Sequence, residues 1–184
     1  MSARTKARKR ALDVLFECEA RGLPLGHTLD QRRAAAAADP REPAVTPFTN
    51  DVVTGVAEHQ TQIDSLLRTL SRDWDLDRMP AVDRNLLRIG VFEILWRDDV
   101  PDEVVVSEAV ALATDLSTDD SPTFVNGLLG RLAREKHMFR AAGRNGGASA
   151  PGGDGGGSVE PGDDAADAIR SADAPGESGT ASPE

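Results

Sequence analysis

Three helical patterns follow one another between residues 86 and 132, with short polar joints between them. Apolar residues recur there at spacings of three and four, which predicts amphipathic helices. The segment 82–96 is apolar on nearly every side, so we expect it at the centre of a helical bundle. Ser121 and Pro122 predict the start of the last helix, as its N-cap and its first helical residue. Gly127 in the middle of this helix costs about 1 kcal/mol relative to alanine, so we expect another element to pack very close to it.

The rest of the chain up to residue 140 shows the same helical periodicity. Gly22, with Pro24 just beyond it, predicts the end of the first helix. No segment alternates apolar and polar residues with the two-residue period of a half-buried strand. We therefore predict an all-α fold, a compact bundle of about six or seven helices. The other predicted helices cover residues 5–21, 28–38, 104–116 and, as one long bent helix or as two, 49–70.

The composition changes sharply at residue 141. The segment 141–184 holds 11 of the 17 glycines, eight acidic residues and no aromatic residue. It cannot bury enough apolar surface to offset the entropy lost on ordering. We predict a folded domain over 1–140 and a disordered, acidic, glycine-rich tail over 141–184. No strand precedes the glycine run at 152–157 and no lysine follows it, so it does not match a phosphate-binding loop.

The composition also restricts the class of protein. Cys18 is the only cysteine, so one chain can form neither an internal disulfide nor a thiolate metal cluster. The three histidines are isolated and lack the spacing of metal ligands. No apolar run is long enough to span a membrane, and no signal peptide follows the basic N-terminus. We expect a cytoplasmic protein that is not an enzyme and has no cofactor, because no catalytic constellation is evident.

The net charge of −10 conceals a positive N-terminus. Only two of the 21 basic residues but eight of the 31 acidic residues lie in the tail, so the domain itself is nearly balanced. A basic cluster can pair with the phosphates of RNA or DNA and release counterions. A solvated, charged chain end is an equally good interpretation from the residues alone. The candidate RNA-binding residues of this cluster are Arg4, Lys6, Arg8, Lys9 and Arg10.

Four sequence blocks occur in an order and at a spacing that resemble a known family. They are Leu87-Arg88-Ile89 with Phe92-Glu93-Ile94-Leu95, then Val100-Pro101, then Ser107-Glu108-Ala109-Val110-Ala111-Leu112-Ala113, and finally Phe124-Val125-Asn126-Gly127. The family is NusB, the bacterial transcription antitermination factors, and the resemblance covers about residues 4–135. It implies two small helical subdomains with a joint near residues 71–80.

The resemblance implies that the protein binds RNA. NusB proteins use an arginine-rich N-terminus to grip RNA, so the basic cluster would hold a boxA element of a nascent ribosomal RNA transcript. We expect a single strand, because proteins read unstacked bases more easily than those of an A-form duplex. Phe124 and Asn126 belong to the block that borders the RNA site in the family. Periodicity alone favours a core position for Phe124, whereas the resemblance favours stacking on a base; Asn126 could contact RNA or fix the neighbouring loop.

The resemblance also implies a protein partner, NusE, a small-subunit ribosomal protein that doubles as a transcription factor. Its contact surface would include Phe16, Glu17, Asp83 and Asp120. For Phe16 the alternative is burial against a neighbouring subdomain. For Asp120 the alternative is a local role at the start of the helix, just before Ser121. NusB proteins often carry tyrosine at the position of Phe16, so any hydrogen bond from that hydroxyl is absent here.

Two further positions carry expectations of their own. Ser107 stands where the family usually has asparagine, which changes the cap or contact made there. Glu93 lies one turn before Arg97 on the same predicted helix, so the two can form an ion pair.

The function that we expect is antitermination by scaffolding. RNA and NusE, held on adjoining surfaces, would help RNA polymerase to resist termination. One alternative is a helical protein-interaction module or a homodimer, with its basic arm buried. A NusB-like domain also forms the front half of some RNA methyltransferases, but such enzymes need a second domain with a cofactor-binding glycine motif, which this sequence lacks.

Overall fold

The computed structural model describes residues 2–71 and 75–145, with side chains only as far as residue 140. Those ranges contain seven α-helices, one short 3-10 turn and no strand, which confirms the predicted all-α fold. None of these helices is both long and apolar enough to cross a membrane. The helices are α1 (Ala3–Arg21), α2 (Leu25–Ala38), α3 (Pro47–Glu58), α4 (Gln60–Leu70), α5 (Ala81–Trp96), α6 (Asp102–Leu116) and α7 (Ser121–Asn145).

Local capping chemistry defines α1, the helix that carries the basic cluster. The hydroxyl of Ser2 accepts a 3.0 Å hydrogen bond from the N–H of Thr5, so α1 begins two residues before the predicted start. The helix ends where predicted, because Gly22 adopts a left-handed conformation with φ 61°. The segment 49–70, left open as one helix or two, forms two helices that meet at His59.

Helix α5 lies at the centre of the bundle, as its apolar sequence predicts. It packs against α1, α3, α4, α6 and α7. Leu86, Leu87, Ile89 and Phe92 are almost completely buried, although they lie on different sides of the helix. Burying each such side chain contributes about 1.5–3 kcal/mol, so α5 organises the core on which the other helices rest.

Helices approach one another closely at two glycines, and neither of them is Gly127. A Cβ atom added to Gly90 would lie 2.5 Å from Cδ1 of Leu129, and one added to Gly55 would overlap the ring of Phe92. A Cβ atom added to Gly127 would meet nothing within 4 Å. The expectation of a close neighbour at Gly127 is therefore wrong, because α7 turns this residue towards solvent.

Helix α7 starts and ends differently from the prediction. It begins at Ser121, and the Phe124 N–H already donates to the carbonyl of Asp120 at 3.2 Å. The hydroxyl of Ser121 does not cap the helix, because it is directed to Asp83. The helix ends at Asn145 and so includes the first five residues of the predicted tail. The remainder of that tail, 146–184, lies outside the described residues.

The predicted joint at residues 71–80 links α4 to α5. A 3-10 turn, Leu76–Arg78, lies within it, and Pro80 leads into the first turn of α5. Residues 72–74 lie outside the described part of the chain. The division into two subdomains at this joint stays a prediction.

Candidate nucleic-acid interface

One face of α1 carries members of both groups of residues that the sequence assigned to binding. Lys6 is exposed and Lys9 and Arg10 are partly exposed, on the side opposite the buried stripe of this helix. Phe16, with 42% of its surface exposed, lies further along the same outward side. Since an α-helix rises 1.5 Å per residue, Arg10 and Phe16 lie about 9 Å apart along the axis. The outward face of α1 therefore has a cationic end and an aromatic end.

Arg8 does not belong to this exposed face, so its assignment to RNA binding is wrong. Its side chain is 2% exposed and makes two hydrogen bonds of 2.8 Å to the carboxylate of Glu93, which is completely buried. It also lies 3.6 Å from Glu108 of α6. Glu93 thus pairs mainly with Arg8 and not with Arg97 as the spacing suggested. Buried side chains recur along α1 at spacings of three and four residues, and Arg8 belongs to this buried stripe together with Ala7 and Ala11.

Arg4 is held at the edge of the bundle but remains exposed. Its guanidinium lies 5.5 Å from the ring centroid of Phe48, and those of Arg8 and Arg97 lie 5.3 and 4.8 Å from the same ring. Such distances allow cation–π attraction. Arg4 also pairs with Asp99 at 3.4 Å. The hydrogen bond from Arg97 holds the pKa of Asp99 below its usual value, although partial burial opposes this.

Two cations on α1 have no carboxylate neighbour in the described part of the chain. Neither Lys6 nor Arg10 forms an ion pair there, whereas Lys9 lies 3.0 Å from Asp13. A cation without a fixed counter-charge can meet a phosphate without first breaking an ion pair. Lys6 and Arg10 are therefore the best-placed phosphate ligands of the predicted cluster.

The two predicted RNA residues of α7 lie apart from each other. Asn126 is exposed and lines a groove of about 590 Å³ between α6 and α7, whereas Phe124 is half-buried against the core and does not line it. Residues two apart on a helix point about 200° away from each other. Ser107 lies on the opposite wall of this groove, and its hydroxyl donates to the carbonyl of Val104 at 3.1 Å. The apolar lining comes from Val106, Val110 and Ala133.

Of the predicted partner-binding carboxylates, Asp83 is not on the surface. Its side chain is 3% exposed and accepts a 2.6 Å hydrogen bond from the hydroxyl of Ser121. The prediction that Asp83 contacts a partner directly is therefore wrong, because the first turn of α5 is covered by the α6–α7 connection. Asp120 is exposed in that connection.

The other two predicted partner residues lie on α1. Phe16 is exposed, so the alternative of burial against a neighbouring subdomain does not hold. Glu17 is half-buried and pairs with Arg21 and Arg32. Hydrogen bonds from Arg21 and then Arg32 hold the pKa of Glu17 below its usual value, against a small effect of burial. Glu17 is thus an ionised side chain beside an exposed aromatic ring.

Comparison with known proteins decides the family. The sequence pattern of the NusB family matches residues 5–134. This chain belongs to the NusB family. The transcription antitermination protein NusB of Nocardioides sp. is 58% identical over 136 residues, which cover 74% of this chain and 97% of that protein. The NusB of Thermobifida fusca is 53% identical over 134 residues, covering 73% and 91% respectively.

Solved NusB structures share the fold. T. maritima NusB superimposes with a TM-score of 0.63 at 31% identity and covers 75% of this chain and 97% of its own. A crystal structure of antitermination factors NusB and NusE in complex with dsRNA gives a TM-score of 0.60 at 24% identity, covering 71% and 96%. The second likeness shows the fold alone. The resemblance read from the four sequence blocks is thus confirmed, and so is the expectation that the protein is an antitermination factor and not an enzyme.

A partly buried charge network on another side of α1 escaped the sequence analysis. Glu19 pairs with Arg84 and Arg88 of α5, and Arg88 also donates two hydrogen bonds to Asp64 at 2.8 and 2.9 Å. Burial tends to raise the pKa of Glu19, but the two arginines outweigh it and lower that pKa. The network lines a cavity of about 530 Å³ together with Cys18. Its sequence signal is two arginines four residues apart on an otherwise apolar helix.

This network is balanced, so it differs from the cationic end of α1. Two arginines face two carboxylates, and every charge has a partner within 3 Å. In the described ranges, no group of three His, Cys, Asp or Glu side chains could hold a metal ion. The N-terminal cluster differs from this network, because within the described residues its Lys6 and Arg10 form no ion pair.

Proposed function

We propose that this antitermination factor of the NusB family binds boxA RNA through the cationic end of α1. The observation that carries this proposal is the exposure of Lys6 and Arg10 without a carboxylate neighbour. Arg4 and Lys9 extend the positive surface on either side, although each already forms an ion pair, Arg4 with Asp99 and Lys9 with Asp13. Phosphate contacts of this kind supply most of the affinity of a nucleic-acid-binding protein. The relatives named as antitermination proteins support the same conclusion.

Phe124 and Asn126 extend the proposed RNA surface onto α7. Phe124 is half-buried, and stacking of a base on an aromatic ring is worth about 1–3 kcal/mol per base. Asn126 would contact a different nucleotide, because it lies on another side of α7. We propose a single RNA strand as the ligand, since its bases are free to reach both side chains.

NusE is the proposed protein partner. Phe16, Glu17 and Asp120 offer it one aromatic and two acidic contacts, and Phe16 lies about two turns beyond the cationic end of α1. RNA and NusE would then sit on adjoining surfaces, from which they act together on RNA polymerase. A crystal structure of antitermination factors NusB and NusE in complex with dsRNA has the same fold. Since bacterial transcripts are made in the cytoplasm, the protein would act there.

The alternative in which the basic arm is buried receives support from Arg8 alone. Lys6, in the same arm, is exposed. A homodimer that covers this arm would therefore have to bury Lys6 and Arg10 against a second chain. Measurement of the molecular mass in solution, with and without RNA, tests this alternative. A dimer that dissociates when RNA binds would favour the alternative with a buried basic arm.

A fluorescence anisotropy titration tests the proposed function. Labelled single-stranded boxA RNA, a scrambled strand and a boxA duplex are each titrated with the protein, with and without NusE. We expect the single boxA strand to bind most tightly and NusE to strengthen that binding. A Lys6→Ala/Arg10→Ala variant lacks the two proposed phosphate ligands and should bind all three RNAs more weakly. Failure to bind any RNA at low salt, even with NusE present, would overturn the proposal.

A further inference from the structure

The ring of Phe48 lies among three guanidinium groups at one corner of the bundle, where α1, α3 and α5 pack together. The guanidiniums of Arg97, Arg8 and Arg4 lie 4.8, 5.3 and 5.5 Å from the ring centroid. Phe48 is half-buried at the start of α3 and packs against the core. The face of an aromatic ring carries negative charge, so it attracts each of these cations.

Two of the three guanidiniums have strong partners of their own. Arg8 is buried and donates two hydrogen bonds of 2.8 Å to Glu93. Arg97 donates hydrogen bonds of 2.9 and 3.2 Å to the two carboxylate oxygens of Asp99, and its side chain is mostly buried. Carboxylates therefore fix both of these arginines, so neither depends on Phe48 alone for its place.

Arg4 depends on the ring more than the other two arginines do. Within the described residues it pairs with Asp99 at 3.4 Å, and both oxygens of Asp99 already accept hydrogen bonds from Arg97. The Arg4 side chain is 53% exposed, so water screens this long ion pair. Arg4 is thus the cation of the three that a phosphate can best reach from solvent, and the ring of Phe48 helps to keep its guanidinium in place.

A guanidinium that is held in place binds a phosphate more tightly than one that moves freely. A long side chain loses rotamer entropy when it is ordered, and a contact that exists before binding removes part of that cost. The ring attracts the charge of Arg4 without accepting its N–H hydrogen bonds. Those donors therefore remain available for phosphate oxygens, which arginine binds with two parallel hydrogen bonds.

We propose that Phe48 is a positioning residue for RNA binding. It does not touch the RNA; its ring holds the guanidinium of Arg4 beside the cationic end of α1, where a backbone phosphate binds. This inference rests on the proposed function, in which that end of α1 binds boxA RNA. It adds to the site a residue of α3, which neither the basic cluster nor the four sequence blocks includes.

A double-mutant cycle with boxA RNA tests the inference. Phe48→Leu keeps an apolar side chain but removes the ring, and Arg4→Ala removes the cation. We expect Phe48→Leu to weaken RNA binding roughly twofold to fivefold, as for the loss of a cation–π contact at an exposed site, and to make the salt dependence shallower. In the Arg4→Ala background, Phe48→Leu should cause no further loss, because its effect passes through Arg4.

Two replacements of the ring separate its charge from its shape. Phe48→Tyr keeps an aromatic face and should keep the RNA affinity. Pentafluorophenylalanine at position 48 keeps the shape of the ring but withdraws negative charge from its face, so it should weaken RNA binding as Phe48→Leu does. It also takes the place of Phe48→Leu in the cycle if the leucine variant does not fold.

Phe139→Leu is the matched control for the loss of a ring. Phe139 is also half-buried against the core, but no guanidinium lies over its ring in the described part of the chain. RNA affinity should not change in this variant.

The outcomes of the experiment are distinct. Unchanged RNA affinity with pentafluorophenylalanine at position 48 overturns the inference. An equal loss from Phe48→Leu with and without Arg4 also overturns it, because the ring would then support the fold and not Arg4. If the unsubstituted protein itself binds no RNA, the proposed function fails and the inference fails with it.

Discussion

The guanidinium of Arg8 donates two hydrogen bonds, each 2.8 Å long, to the carboxylate of Glu93 inside the bundle. The two residues are 85 positions apart in sequence, and both side chains are almost completely buried. The pair fastens the N-terminal helix to the central helix. Arg8, one of the residues predicted to bind RNA, is therefore a structural residue. Because Arg8 holds the inner side of α1 against α5, the opposite side of α1, with Lys6 and Arg10, faces solvent.

Breaking this pair should destabilise the fold. Arg8→Ala leaves the carboxylate of Glu93 buried without its main partner, and removing one member of a buried ion pair typically costs about 3–5 kcal/mol. Urea denaturation followed by circular dichroism measures the loss. Arg131→Ala, which removes a half-exposed pair with Glu135, should cost less than about 1 kcal/mol. Equal losses for the two variants would contradict the structural role of Arg8.

RNA binding should depend on the exposed cations and not on Arg8. In a Lys6→Ala/Lys9→Ala/Arg10→Ala variant we expect weaker binding of every RNA and a shallower salt dependence. For single strands, the slope of log K against log salt changes by roughly 0.7 for each phosphate that the protein no longer neutralises. Anisotropy titrations across a salt series measure both quantities.

A matched control removes the same number of charges elsewhere. The control replaces three exposed arginines away from α1 by alanine: Arg33, Arg41 and Arg68. If this variant flattens the salt slope as much as the α1 variant does, the RNA does not bind at the cationic end of α1.

Two glycines should respond to alanine in opposite directions. Gly127→Ala should stabilise the protein by up to about 1 kcal/mol, since the added Cβ meets open space and alanine favours the helix. Gly90→Ala should destabilise it by about 1–3 kcal/mol, because the added atom lies 2.5 Å from Leu129 in a packed core. Thermal melting compares the two variants. Destabilisation by Gly127→Ala would indicate a close neighbour at that position after all.

The Glu19 network should make the stability of the folded state depend on pH in the acidic range. The folded state holds the pKa of Glu19 below its ordinary value of 4.5, so the stabilisation is present above that value and is lost as the pH falls through the folded pKa. Glu19→Gln should therefore be less stable than the unsubstituted protein at neutral pH, and the difference should shrink below about pH 4.5. Melting midpoints across this range measure the difference, with Glu58→Gln on the exposed side of α3 as control. If the difference in melting midpoint between the two proteins stayed constant with pH, ionisation of Glu19 would not be its cause.

Deletion of residues 146–184 should leave the melting transition nearly unchanged. The sequence of this segment is rich in glycine and acidic residues and poor in apolar ones, so it has little to contribute to a core. The deletion keeps the whole of α7, which ends at Asn145. A large loss of helical circular dichroism would show that the segment belongs to the fold.

Helix positions were largely predictable because their signals are local. The stop of α1 at Gly22 and the central place of α5 follow from a left-handed cap and from apolar residues on every side. Gly127 was misjudged because a helical glycine has no local mark that separates close packing from exposure. Gly90 and Gly55, which do lie in close contacts, looked no different in the sequence.

The candidate site was predictable only in outline. The basic cluster and the four sequence blocks pointed to α1 and α7 as candidate surfaces, and the structure places Phe16 and Asp120 at the surface. They did not reveal that Arg8 and Asp83 are buried, because each is satisfied by a residue from a distant part of the chain.

By itself, the sequence determined the helical class, the helix at the centre of the core, the positive N-terminus and the family. These properties rest on composition, periodicity and short motifs, which act over a few residues. Only the tertiary structure decided which charges of α1 face solvent and which acidic residue holds the α6–α7 turn. A charged side chain is buried or exposed according to the partner that the fold brings to it, and those partners, Glu93 for Arg8 and Ser121 for Asp83, are remote in sequence.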